Sequence, residues 1–265
     1  MAKKDQSVMY LKDHGYSVVR LPRSDFQPSQ TLIRAGKKDL QRSGELKDLM
    51  IMGANPLPSL SANNTAPLSI SGKESSTIKI DIGLEILGGI ISALGGIGLG
   101  PKVGFGNATN LVVKFENVTE DHIDINLLDQ FLTTASLRTD QTGLNNALRD
   151  NRVYVVNSTI KTNEFGIKAT ADSNAEVSLD IPAISQVASG KLSVDVSKAR
   201  EGVVSYKGTT PVVFGFQAVQ LFFDPESGAY SAFEPMPAGS AAAKTLIEPN
   251  YLTLDEGVFF RIDEP

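Results

Sequence analysis

The chain has 265 residues, 41% of them hydrophobic and 21% charged, with a formal net charge of −5. That balance excludes wholesale disorder and a multi-span membrane protein, and the length favours one domain with a small appendage. There is no cysteine and only two histidines, His14 and His122, which excludes a disulfide scaffold, a thiol nucleophile and nearly every zinc site.

Charge is unevenly spread: +4 over residues 1–52, −3 over 53–222 and −6 over 223–265. A basic front suits an anionic membrane surface or an acidic partner, and the acidic tail is a candidate for that partner. The N-terminus is polar and no apolar core follows it, so a secretory leader is not expected and the cytoplasm is the expected location.

Residues 5–14 read as a short helix stopped by Gly15, and Tyr16 to Leu21 as a strand that ends at Pro22. Ser59 to Pro67 reads as a polar loop. From Thr77 to Ile86 the alternation is strict, with Ile78, Ile80, Ile82, Leu84 and Ile86 on one strand face and Thr77, Lys79, Asp81, Gly83 and Glu85 on the other. Leu87 to Pro101 carries no charge and many glycines; it is too short for a transmembrane helix and fits a short buried or mobile amphipathic helix. Leu111, Val113 and Phe115 then alternate with polar neighbours, so the unit is strand, apolar connector, strand.

Leu127, Leu128, Phe131, Leu132 and Ala135 have helical spacing, as do Leu144, Ala147 and Leu148. Strands resume with Phe165, Ile167 and Ala169, then with Val177, Leu179 and Ile181 after a turn at Asp172-Ser173-Asn174. Pro182 to Ser189 is a helical connector, and Leu192, Val194 and Val196 form the next alternating face, repeating the earlier plan. Val203 to Tyr206, a turn at Lys207-Gly208-Thr209-Thr210, and Pro211 to Phe223 read as a hairpin. Glu234 to Ala243 has the composition of an exposed linker. Beyond it, Leu246, Ile247, Tyr251, Leu252, Leu254, Val258, Phe259, Phe260 and Ile262 bring enough apolar surface that this tail is expected to pack back onto the body.

No nucleophile elbow, phosphate loop, zinc helix or calcium loop is present, and the glycines from Gly95 to Gly106 do not give Gly-x-Gly-x-x-Gly within a βαβ unit. No enzyme and no cofactor are expected. Nucleic acid is a poor partner for a tryptophan-free acidic chain, whereas the region of Lys3, Lys4, Lys12, Arg20 and Arg23 suits acidic lipid. An alternating strand is ordinarily half-buried in a soluble sheet, and a non-lytic β-rich structural or interaction protein whose tail is only a packing element is the alternative reading. The ten residues from Thr77 to Ile86 also match the 9–11 that a tilted strand needs to cross a bilayer, and two such units per chain would let many copies close a barrel.

Tyr10-Leu11-Lys12, Gly15 to Arg23, Gln27-Pro28, Lys161 to Phe165, Tyr206-Lys207-Gly208, Val213 to Phe216 and Leu254 to Gly257 occur in an order and a chain length that resemble the bacterial gasdermins. The resemblance implies an α+β fold: a twisted, largely antiparallel central sheet with surrounding short helices. It implies a pore-forming body over residues 1–234 that assembles with copies of itself, as a large ring, on inner-membrane lipids. The inserting hairpins would come from about residues 76–118 and 177–196. A linker over 235–245, holding Lys244 with Leu246 just beyond, would be cut by a companion protease, releasing an inhibitory peptide over 246–265. The cysteine that the family commonly carries near its N-terminus is replaced by Lys3 or Lys4, so lipidation there is not expected.

Overall fold

The computed structural model describes residues 11, 15–35, 39–63, 78–97, 104–138, 142–171, 177–186, 188, 190–224, 228–234, 249–252 and 261–263. In chain order it begins with β1 (Ser17–Arg23), β2 (Gln30–Arg34), β3 (Asp39–Glu45), α1 (Leu46–Leu49), β4 (Met50–Ile51), β5 (Ser61–Asn63), β6 (Ile78–Lys79) and α2 (Ile80–Ala93). The middle holds β7 (Asn110–Glu116), β8 (Thr119–His122), α3 (Ile125–Thr134), β9 (Ser136–Leu137), α4 (Thr142–Arg149) and β10 (Val153–Thr170). Then come α5 (Ile181–Ser185), β11 (Leu192–Asp195), β12 (Val203–Gln220), β13 (Phe222–Phe223), β14 (Tyr230–Ser231) and β15 (Arg261–Asp263). This is the expected α+β fold around a large, largely antiparallel sheet.

Two strands of 18 residues each, β10 and β12, form its spine. They are rich in Val, Ile, Thr and aromatics, which pack well on a pleated surface, and the first eight residues of β10 are all buried. β10 pairs with β12 on one side; on the other it meets β2, then β8, then β7. The outer edge of β12 is likewise completed piecewise: Tyr251 bridges Val219, β1 covers Val213 to Phe216, and β11 covers Ser205 to Gly208.

The spine shifts register between Thr162 and Glu164, where residues 208–211 oppose Asn163 alone. The Thr162 hydroxyl donates to the Glu116 carbonyl and accepts from the Glu164 N–H at 3.0 Å, while Asn163 Nδ2 donates to the Gly208 carbonyl at 3.2 Å and the Thr209 N–H to the Lys191 carbonyl at 3.0 Å, so these groups keep partners across the shift. In place of the expected hairpin over 203–223 there is one continuous strand over Val203–Gln220, bulged at residues 208–211, and Phe222–Phe223 is a separate short strand paired with β14. Pro211 sits in that bulge, where no ladder partner is needed. β1 also continues through Pro22 to Arg23, which a strand with an irregular register and one paired side tolerates.

The strand expected from Thr77 to Ile86 is the largest difference. Of its described residues only Ile78–Lys79 are strand; Ile80, Ile82, Leu84 and Ile86 belong to α2. Leu84, Leu87, Ile90, Ile91 and Leu94 recur at helical spacing and are all buried, so packing on the sheet overrides the β preference of the isoleucines and the cost of the glycines. Val177 and Leu179 are likewise outside any strand, and Ile181 opens α5, because Asp180 accepts from the Ala183 N–H and Pro182 suits a first helical turn. Val194 is in β11, while Val196 lies just past its end. Part of the expected polar loop after Ser59 is β5, and Leu127, expected on the apolar face of α3, is half exposed. Of the helix expected over 5–14, only Leu11 is among the described residues; it is buried.

α3 and α4 pack as expected: Leu128, Phe131, Leu132, Leu144, Ala147 and Leu148 are buried against the N-terminal half of β10. Asp124 caps α3 by accepting from the Asn126 and Leu127 N–H groups. No described helix is long and apolar enough to cross a membrane.

Candidate membrane-inserting face and tail lock

The second half of β10, with β7 and the first half of β12, makes a three-stranded surface whose two faces differ. On one face lie Leu111, Val113, Phe115, Phe165, Ile167 and Tyr206, all buried. Phe115 stacks on Phe214 with centroids 4.2 Å apart, and Phe165 on Tyr206 at 5.1 Å. On the other face Val112, Lys114, Glu116, Gly166, Lys168 and Ser205 line an open groove of about 390 Å³. The alternation in β7 is complete, with every second residue buried.

The apolar face is covered by two units of chain, each leaving the sheet from one strand and returning to the next. The first, described over residues 80–97 and 104–109, leaves from β6 and returns at β7, carrying α2; the second, described at 171, 177–186, 188 and 190–202, leaves from β10 and returns at β12, carrying α5 and β11. Leu84, Leu87, Ile91, Ile184 and Leu192 form one core with the sheet face, and Val177, Leu179, Val194 and Val196 are half-buried against it. The residues singled out for insertion thus do converge. Leu111, Val113, Phe115, Leu192 and Val194 do so from strands; Leu84 does so from a helix, and Val177 and Leu179 from irregular chain. Of Ile78, Ile80, Ile82 and Ile86 the structure describes only the backbone, and Ile181 is 38% exposed.

The chain just before β1 joins the same core. Leu11 is part of it, and its carbonyl accepts from the Tyr16 N–H at 2.9 Å. Tyr16 is buried and its hydroxyl donates to Glu120 Oε1 at 2.8 Å, where Ser158 Oγ also donates at 2.5 Å. Desolvation first, and the Glu120 carboxylate second, raise the Tyr16 hydroxyl above its ordinary value of 10.0. A raised value means the neutral hydroxyl is favoured by folding, so this contribution is intact below pH 10 and is lost as pH climbs further. Tyr16→Phe should lower stability at pH 8 by about 1 kcal/mol and lose less than the parent between pH 8 and pH 11. Urea midpoints at the two pH values measure both; an equal alkaline loss in parent and variant contradicts the assignment.

The tail touches the body at two described places. At the first, the Leu252 N–H donates to the Ala218 carbonyl at 2.8 Å and the Gln220 N–H to the Asn250 carbonyl at 3.0 Å, so residues 250–252 extend the edge of β12 beyond the reach of β1. Leu252 is buried with Phe26, Leu32, Leu40, Val156 and Phe216, and Ser17 Oγ donates to its carbonyl. Tyr251 is 39% exposed. At the second, β15 pairs in parallel with β3, Ile262 opposite Leu40. β15 also lies against β1, the strand at the far end of the sheet order, so the sheet curls until the tail strand bridges its two ends. Leu254, Val258, Phe259 and Phe260 lie outside the described residues, as do Lys244, Leu246, Lys3, Lys4 and Lys12; Arg20 and Arg23 are described as backbone of β1 only.

The described glycines of the Gly95 to Gly106 run, Gly95, Gly96, Gly104 and Gly106, sit in close contact with residues 178–192. Gly104 and Gly106 have φ of +103° and +46°, and Gly95 has +86°. Among the described residues no group of His, Asp or Glu is arranged to hold a metal ion.

A family model described as the Bacterial Gasdermin Family matches residues 19–229. The chain is 38% identical over 244 residues to a gasdermin of a Desulfuromonadales bacterium, covering 92% of this chain and 90% of that one. It is 35% identical over 245 residues to a gasdermin of Lysobacter enzymogenes, covering 92% and 89%. A solved bacterial gasdermin from Bradyrhizobium tropiciagri superposes with a TM-score of 0.67 at 14% identity, over 100% of this chain and 98% of the other.

Proposed function

The chain belongs to the bacterial gasdermin family, and from that premise we propose that it is a pore former held inactive by its tail. The observation that carries this is the three-stranded surface of β7, β10 and β12: its strands already alternate apolar and polar, and its apolar face is hidden by two units that are not part of the sheet spine. Barrel strands in lipid need that alternation, with one face to lipid and one to water. β7 has seven residues, fewer than the 9–11 of a spanning strand, so the covering units must be drawn out to lengthen it. The first hairpin then spans about residues 76–118. The second begins on β10 and returns on β12, so it reaches beyond 177–196 on both sides.

In this reading the tail completes the outer edge of β12 and bridges the ends of the curled sheet, and thereby holds the body in its covered form. Release of residues 246–265, by a protease acting between Pro235 and Pro249, frees both places. The freed copies assemble on the inner membrane and kill or arrest their own cell in defence against phage. The chain has no cysteine to carry the N-terminal lipid that the family resemblance implies, which leaves the tail as the main lock.

Fluorophore-loaded vesicles of acidic bacterial lipid provide the test. Protein truncated at Ala243 should empty them, and the intact chain should not. Truncations throughout 235–249 that bind no membrane and only unfold more readily would overturn the proposal in favour of a tail that is a packing element alone.

A further inference from the structure

We propose that the two covering units leave the sheet together, as one cooperative element, because a seam of glycines joins them to each other as well as to the sheet. The proposal takes from the pore-forming reading only what the release is for. A Cβ on Gly106 would lie 2.1 Å from the Ser178 carbonyl oxygen, one on Gly104 would lie 2.6 Å from Ile184 Cγ1, and one on Gly96 would lie 2.6 Å from Leu192 Cδ2. Each contact crosses from the first unit to the second. Two hydrogen bonds follow the same line: the Asp180 N–H to the Gly104 carbonyl at 2.9 Å, and the Ser178 N–H to Asn107 Oδ1 at 2.8 Å.

The seam is anchored at one point of the sheet. A Cβ on Gly208 would lie 2.6 Å from Leu94 Cδ2, so the chain just past α2 sits directly on the bulge of β12, and Leu192 of the second unit pairs with that same Gly208. Neither unit can depart alone without stripping the other of backbone partners and opening the core that both share. The positive φ of Gly104 and Gly106 is available to glycine at little strain, which explains glycines in a stretch where they weaken the chain. Coupling also has a use in lipid. One hairpin inserted without its neighbour would present unpaired backbone to hydrocarbon, at several kcal/mol per group.

Because the chain has no cysteine, a disulfide can pin one unit selectively. Leu94→Cys with Gly208→Cys places two Cβ atoms about 3.1 Å apart, within a small adjustment of the ~3.5–4.5 Å of a disulfide. Hydrogen exchange of the full chain is then compared between its oxidised and reduced forms. Joint release predicts that oxidation slows the amides of α2 and those of residues 178–186 and 192–195 by a similar factor, at least ~10-fold. Slowing confined to α2, with the second unit unchanged, overturns the proposal.

Gly106→Ala, which forces the seam apart without touching the sheet, should quicken both sets of amides together; quickening of one set alone also overturns it. Vesicle leakage by the reduced, tail-less double variant reports on the pore-forming reading separately. Silence there alongside joint protection would sink that reading and leave the coupling standing.

Discussion

Replacing Leu252 with aspartate is expected to let the intact chain empty vesicles without any cut. Leu252 is the described tail residue that enters the core, 6% exposed among Phe26, Leu32, Leu40 and Phe216. Truncating such a leucine to alanine costs about 2–5 kcal/mol, and a carboxylate there would be buried among apolar groups, which costs more. The penalty falls on the docked tail, since an undocked tail carries its aspartate in water. The bonds to Ala218 and Ser17 depend on Leu252 staying seated, so they open with it. Tyr251→Asp, at a 39% exposed position next door, should leave the chain silent. A folded Leu252→Asp protein that stays silent on acidic vesicles while its tail-less form leaks would show that the edge of β12 is not where the lock sits.

The second large effect separates insertion from folding. Ile181→Lys should leave the thermal midpoint of the intact chain nearly unchanged, because Ile181 is 38% exposed and exposed substitutions stay within about 0.5 kcal/mol. In a lipid-facing strand the same lysine costs up to ~2–4 kcal/mol near the bilayer midplane, once per subunit of a ring. Leakage by the tail-less protein should therefore fall by at least ~10-fold. Leu127→Lys is the matching control. Leu127 is 50% exposed on α3, outside both covering units, and its substitution should alter neither stability nor leakage. Equal leakage by the Ile181→Lys and parent proteins would remove the second unit from the spanning surface.

These predictions rest on positions that sequence reading located more surely than it described. Leu111 to Phe115 and Phe165 to Ala169 were legible as strands because their alternation matches a sheet with one covered face. Leu84 was not legible as helical. Ile78, Ile80, Ile82, Leu84 and Ile86 satisfy a period of two, while Leu84, Leu87 and Ile91 satisfy 3.6, and only the sheet face beneath α2 decides between them. The glycines weaken a helix in isolation, so local propensity argued the wrong way. For Ile181 the correcting signal was present, since Asp180 followed by Pro182 marks a helix start. Lys207 to Thr210 carry turn residues, yet β11 and Asn163 hold them in a bulged strand, a long-range cause that local composition does not encode. The tail was legible as an apolar segment that returns to the body. Its two docking places were not, because both depend on which sheet edges the remaining strands leave open.

The most direct measurement follows one sample through its own activation. A recognition site for a specific protease is placed between Pro235 and Pro249, and the protein is added to fluorophore-loaded acidic vesicles. The signal should stay flat while the chain is whole and rise when the protease is added. With Leu94→Cys and Gly208→Cys oxidised, the rise should wait until reductant follows. A rise before cutting, or complete cutting of folded protein with no rise, would contradict a pore former locked by its tail.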